Sequence, residues 1–327
     1  MKRIFFVLLA LMLASGAAFA GGRGQHVPTD ELGNFPSGPI RLVVPFGAGG
    51  GTDVFVRTVL RHVDPSVNIG VVNITGAAGL VGAMEVFHSA NNGYTILATA
   101  PPDLVFFDLS GTSPVPLWSE LEHICWAVSD FNGFFTHRNS GFTTIDEMAA
   151  FARANPGVLL FGTVGTRTVN ALNSIRLLES LGIRDLVTMV PYDGGADIRT
   201  ALLGGHIHAS SNALGDVVAL IESGDCIPMA IIGETRASVF PEIPSTRELG
   251  LGMTTPLPRA LFAPPGTPRP RVEFISNLFR NALQNPALVA ELNALFLDAN
   301  FVDSVNARRL TREIYDDLGA AFARYFD

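Results

Sequence analysis

The chain has 327 residues and a formal net charge of −8, and its 22 basic residues are scattered rather than clustered. It therefore lacks the positive field that nucleic acid or an anionic membrane surface would need, and any bound anion must be held by local dipoles and single side chains. Its two cysteines, Cys125 and Cys226, are too few for a structural zinc site.

In chain order, residues 1–20 read as a secretory signal peptide. Lys2 and Arg3 open it, Ile4 to Ala14 is apolar but too short to span a bilayer, and Ala18-Phe19-Ala20 is a small-x-small cleavage site. Cleavage near Ala20 would leave roughly 300 exported residues, which suit two medium domains better than one core. No cysteine follows the cleavage site to carry a lipid. Gly21 to Gly38 is a loose Gly- and Pro-containing lead. Strands are then predicted at Ile40–Pro45, Ile69–Ile74, Tyr94–Thr99, Ile124–Phe135, Leu159–Thr163, Leu186–Pro191, Ile207–Ser211, Cys226–Ile232 and Arg259–Ala263.

Helical patterns fill the gaps. Thr144 and Glu147 form a capping box, with Pro156 closing that helix, and Gly182, Gly204 and Gly224 sit where left-handed C-terminal caps belong. Leu310, Ile314, Leu318, Phe322 and Tyr325 share one face of a last helix. Strands alternating with helices predict parallel sheets covered on both faces, in an α/β class. No tether-like linker separates the halves, so crossing strands should join the two domains.

The loop "VVPFGAGGGTD" runs from a strand through glycines into a helix. Its backbone N–H groups and the positive helix end make an anion seat, although a plain tight turn is the alternative. The spacing of Gly47, Gly49, Gly50 and Gly51 does not fit a dinucleotide fingerprint, and Gly51-Thr52-Asp53 does not fit a P-loop. Similar loops recur at "NITGAAG", "ATAPPD", "FGTVGTRTVN" and "VPYDGGADIR", all at strand ends, where open α/β sheets bind ligands. Asp53 is expected as the N-cap of the helix it starts. His206 and His208 alternate along a strand, but no further metal ligands group with them. No nucleophile elbow or zinc-protease motif supports an enzyme.

The stretches "PIRLVVPFGAGGGTDVFVR", "VVNITGAAGLVGAMEVFHSANNGYTILATA", "MVPYDGGADIRTALLGGHIHA" and "PEIPSTRELG…LFAPPGTPRP" together resemble the Bug family, the periplasmic solute-binding proteins of tripartite tricarboxylate transporters. The resemblance implies a two-lobed, type II periplasmic-binding-protein-like α/β fold with a ligand cleft between the lobes. One lobe would comprise residues 39–121 plus 227–327 and the other 122–226. It also implies a small carboxylate ligand, of the di- or tricarboxylate kind, and the membrane subunits of a transporter as partner. A monomer without cofactor or bound metal is expected.

Carried over by position, the ligand-binding candidates are Phe46, Gly47, Ala48, Gly49, Gly50, Thr52 and Asp53 in the first loop. Thr99, Ala100 and Pro101 follow at a strand end, and Thr163, Gly165, Thr168, Pro191, Tyr192 and Gly194 come from the second lobe. Three places depart from the family pattern: Arg167 in place of a glycine, His208 in place of an aspartate, and Pro258-Arg259 where a tryptophan is usual. Arg167 is the candidate for gripping a second ligand carboxylate, a solvated arginine on the rim being the alternative. Cys125 and Cys226 are a candidate disulfide pair near the expected crossings, with free buried thiols as the alternative. An exported enzyme acting on a phosphorylated or nucleotide ligand, and a ligand sensor of the same fold, are the competing functions.

Overall fold

The computed structural model describes residues 32–237, 240–251 and 257–325; the expected signal peptide lies outside the described residues. The first eight elements are β1 (Ile40–Val44), α1 (Gly51–Leu60), β2 (Ile69–Asn73), α2 (Leu80–Phe87), β3 (Thr95–Thr99), α3 (Pro101–Leu109), α4 (Leu117–Glu120) and β4 (Glu122–Asp130). A second group runs β5 (Asn132–His137), α5 (Ile145–Ala154), β6 (Leu159–Val164), α6 (Val169–Ser180), β7 (Val187–Tyr192), α7 (Gly195–Leu203), β8 (Ala209–Ala213), α8 (Leu214–Glu222) and β9 (Cys226–Ile232). The chain then returns with β10 (Leu257–Ala263), α9 (Arg269–Leu283), α10 (Pro286–Ala294), β11 (Asp298–Asp303) and α11 (Ser304–Tyr325).

Two sheets result, one per lobe, in the orders β11-β4-β10-β3-β1-β2 and β7-β6-β8-β5-β9. The apolar run expected as one strand from Ile124 to Phe135 is two strands in two sheets. Phe131 is the crossing: its amide donates to Asp130 Oδ1 at 2.7 Å and its carbonyl accepts from Leu214 at 2.7 Å. The first crossing therefore falls at Phe131 rather than after Leu121, because β4 pairs with β10 and β11. The return falls after Ile232 rather than before Ile227, because β9 pairs with β5.

Neither sheet is purely parallel, contrary to the sequence expectation. β10 is antiparallel to β3 and β4, and β5 is antiparallel to β8 and β9. The crossings impose this. A strand entering a lobe from the cleft must run away from it, whereas β1, β3, β6 and β8 run toward it and end there. β11, which the sequence reading did not mark, adds an antiparallel edge beside β4.

Local signals mostly form as their chemistry requires. Thr144 caps α5 by accepting from the Glu147 amide at 3.2 Å, and Glu147 reaches back to the Thr143 amide at 2.7 Å. Gly182 and Gly224 take left-handed angles, but after α7 the left-handed residue is Gly205, with Gly204 still right-handed. Ile314, Leu318 and Phe322 of α11 are buried in a core with Phe106, Phe107 and Trp118. Val169 and Leu172 of α6 enter that same core, so an apolar contact holds second-lobe residues against the first lobe.

Cys125 lies opposite Leu261 and Asp303 in the first sheet, while Cys226 lies opposite His137, at the end of β9 away from the crossing. Both are buried and free, so the candidate disulfide is not formed. Burial raises both thiols, Cys226 to about 12, which keeps them protonated and unreactive at neutral pH. Alkylation without reductant should add no label to the native protein and two labels once it is denatured; a denatured mass without added label would reveal a bridge.

Candidate ligand-binding site

A cavity of about 60 Å³ lies between the lobes. At roughly 10–15 Å³ per water in this measure, it holds about four to six waters. Its walls come from the first turns of five helices. These are Gly51 and Thr52 of α1, Asp103 of α3, Val169 and Asn170 of α6, Gly195 and Ala196 of α7, and Asp216 of α8. The positive ends of these helices thus point at one small volume.

The first-lobe loop reaches this position through Gly49, whose φ of 76° only glycine takes easily, and Gly50 then starts α1 as its N-cap. Asp53 is not the N-cap. It sits in the first turn, buried, and its carboxylate accepts from the Gly49 amide at 2.9 Å, from Arg57 Nε at 3.0 Å and from Asn73 Nδ2 at 3.0 Å. Burial opposes its charge, but the Arg57, Gly49 and Asn73 hydrogen bonds outweigh that and hold its pKa below the ordinary value. Asp53 therefore braces the loop from behind. Asn73 completes the brace by donating to the Phe46 carbonyl at 2.9 Å.

Opposite stands the second lobe. Arg199 of α7 donates to the Gly49 carbonyl at 2.7 Å, and the Gly51 amide donates to the Asp216 carboxylate in a short hydrogen bond. Both bonds join the lobes. Gly51 and Gly195 leave the space this carboxylate occupies, since a Cβ on Gly51 would lie 2.8 Å from Asp216 Oδ1 and one on Gly195 would overlap the carboxylate.

Behind α1 lies a charged pair that is buried completely enough to matter. Arg259 is 5 % exposed and Asp130 is 4 % exposed. The guanidinium donates to Asp130 Oδ2 through Nε at 2.9 Å and through Nη2, and to Thr52 Oγ1 through Nη1 at 2.6 Å. Burial works against the Arg259 charge, but Asp130, Asp216 and Asp103 around it keep its pKa above the ordinary value. Asp103, on the cavity wall, is pushed up to about 6 by desolvation; Arg259 pulls it down and Asp216 pushes it further up. Asn132, 5 % exposed, lines the cavity, and its Oδ1 is buried with no hydrogen-bond partner among the described residues.

Of the residues expected at the site, Phe46, Gly47, Gly50, Thr52 and Thr168 line the cavity. Gly194, the N-cap of α7, faces Phe46, a Cβ there lying 3.8 Å from the ring. Gly49 and Asp53 shape the loop, and Ala48 is exposed on its outer side. Thr99, Ala100 and Pro101 are buried beneath the cavity at the start of α3, and Thr163 is buried at the end of β6, neither group forming its wall. Gly165, Pro191 and Tyr192 line an adjoining pocket with Arg167, which shares Ala78 and Thr168 with the cavity. Arg167 is exposed, and its guanidinium lies over the Phe322 ring, 5.7 Å from the centroid, not in the cavity. His206 and His208 both precede β8, and His208 Nδ1 accepts from the Leu160 amide at 3.1 Å. Sequence reasoning missed Asp103, Asn132, Asp216 and Arg259 as wall residues. Arg259 and Asp103 carried signals, one as a departure from the family pattern and the other as the end of a strand-end loop, whereas Asn132 and Asp216 carried none.

Residues 65–321 match the family described as "Tripartite tricarboxylate transporter family receptor". The chain is 30 % identical over 287 residues to Protein BugT of Bordetella pertussis, covering 85 % of this chain and 86 % of that one. In structure it resembles the periplasmic binding protein BugD with a TM-score of 0.82 at 23 % identity, covering 89 % of this chain and 98 % of that one. It also resembles MatC from Rhodopseudomonas palustris with bound malate, with a TM-score of 0.80 at 22 % identity over 88 % of this chain and 99 % of that one.

Two outcomes follow from the charges. Removing one partner of the buried pair, by Arg259→Met, should cost about 3–5 kcal/mol in urea denaturation, because the Asp130 charge is left uncompensated. Adding Asp130→Leu to it should restore most of that loss. Asp103 has a folded pKa of about 6 against an ordinary value of 3.8. The folded protein thus binds this proton more tightly, and stability falls as pH rises through that window. Asp103→Asn should therefore gain in melting temperature over the unmodified protein on going from pH 4 to pH 7; a difference that does not change with pH would remove Asp103 as the cause.

Proposed function

We propose, since this chain belongs to the tripartite tricarboxylate transporter family of receptors, that it is a periplasmic solute-binding receptor. It closes its two lobes on a small carboxylate and delivers it to the membrane subunits of such a transporter. The observation that carries this reading is the convergence of five helix N-termini, from both lobes, on one small cavity. Backbone N–H groups at helix starts and the helix dipoles there favour a carboxylate without needing a positively charged protein surface, in keeping with the net charge of −8. The bound malate of MatC supports a carboxylate as the ligand class.

The cavity of about 60 Å³ is small, in keeping with a small solute. The expectation of a dicarboxylate held at both ends rested on Arg167 as the second grip. The Arg167 guanidinium lies against the Phe322 ring, in the pocket that adjoins the cavity.

Ligand should shift an open–closed equilibrium only through its better contacts in the closed form. Mass spectrometry of solute released on denaturing the purified protein should find a small carboxylate, and adding it back to stripped protein should lower the radius of gyration in small-angle scattering. A released nucleotide, or a radius unchanged at saturating ligand, would count against this function.

A further inference from the structure

Two hydrogen bonds that cross between the lobes end on the glycine loop. The Gly51 amide donates to Asp216 Oδ1, and Arg199 Nη1 donates to the Gly49 carbonyl at 2.7 Å. Arg199 Nη1 also reaches the Asp216 carbonyl at 3.5 Å, so α7 and α8 present these two side chains together. Both bonds join the chain to itself and need no solute to form.

The Asp216 carboxylate occupies the kind of place in which an anion would be seated. Gly51 is the first residue of α1 and Gly195 the first of α7, one from each lobe. A Cβ on Gly51 would lie 2.8 Å from Asp216 Oδ1, and one on Gly195 would overlap the carboxylate. The carboxylate thus fills a recess between two helix starts that a larger residue at either position would close. The same Cβ on Gly51 would lie 3.1 Å from Arg259 Nη2, so the buried guanidinium of the first lobe stands beside this second-lobe carboxylate and their charges attract. A helix-start amide, two positive helix ends and a guanidinium are the partners that a bound carboxylate would take. Asp216 also stands in the first turn of its own helix, α8, where an acidic residue is favourable by itself. That role does not require its reach across to α1.

We infer that Asp216 is a tethered stand-in for the ligand carboxylate, which latches part of the solute-free protein closed and which an incoming carboxylate displaces. A solute then draws closure from the difference between its own contacts and those that Asp216 gives up, rather than from its contacts alone. The displacement rests on the carboxylate-receptor reading above, whereas the latch is a property of the chain by itself.

Small-angle scattering of protein stripped of solute, at matched ionic strength, tests the latch with formate, which restores only the missing carboxylate. Asp216→Ala should have a larger radius of gyration than the unmodified protein, its closed-to-open ratio lower by roughly tenfold to a hundredfold. Formate should return the variant to the unmodified radius and chloride should not. Neither should change the unmodified protein, whose seat is filled. Asp216→Asn keeps the shape without the charge. It should expand as well, beyond rescue by formate, and it decides the matter if melting curves show Asp216→Ala to be unfolded. An unchanged radius in the folded variant overturns the latch. So does an expansion that formate fails to reverse, or that chloride reverses equally, or a formate effect of the same size on the unmodified protein. No transported solute enters this measurement, so its failure leaves the receptor reading standing, while release of a nucleotide would defeat that reading and leave the latch.

Discussion

Everything around the cleft leans on the Arg259 guanidinium. Its carboxylate partner, Asp130, is the last residue of β4, immediately before the chain crosses to the second lobe. Its hydroxyl partner, Thr52, is the second residue of α1, and Arg259 itself sits on the strand that returns from the second lobe. One buried side chain therefore ties the outgoing crossing, the returning strand and the glycine loop into a single register. A buried pair of this kind is weak evidence for net stability, because desolvation offsets most of the attraction. What it supplies is position: any other arrangement of these three segments leaves a charge buried alone.

The same accounting explains how glycine-rich helix starts can sit at a buried interface. A helix N-terminus leaves N–H groups without partners, and burying them unpaired is costly. The chain meets this cost mostly with its own oxygen atoms. Asp53 reaches back to Gly49, Asp216 crosses from the other lobe to Gly51, and Thr168 caps α6 by accepting from Ala171 at 3.1 Å. A ligand entering the cleft competes with these internal acceptors for the donors.

Closure also has an apolar part. Val169 and Leu172 of α6 are buried among residues of α3 and α11, and the Arg167 guanidinium next to them covers the Phe322 ring. Burying a side chain of this size contributes about 1.5–3 kcal/mol, enough to matter against an open form that differs by only a few kcal/mol. Arg167 thus adds to this contact with the first lobe.

The sequence by itself determined the α/β class, eight of the strand positions, the capped helices and the glycine loop, because each of these follows from short-range chemistry: apolar periodicity, a Thr–Glu box, glycines where backbone must turn. It also carried the family through motifs spread along the mature chain. Only the tertiary structure decided that one apolar run splits at Phe131 into strands of two sheets, that β10 and β5 run against their neighbours, and that Cys125 and Cys226 lie in different sheets. The acidic wall was equally out of reach of the sequence. Asp103, Asn132, Asp216 and Arg259 are far apart along the chain and look ordinary one at a time; their meaning comes from burial together in one small cavity, where charge and unpaired acceptors count for far more than they do in water.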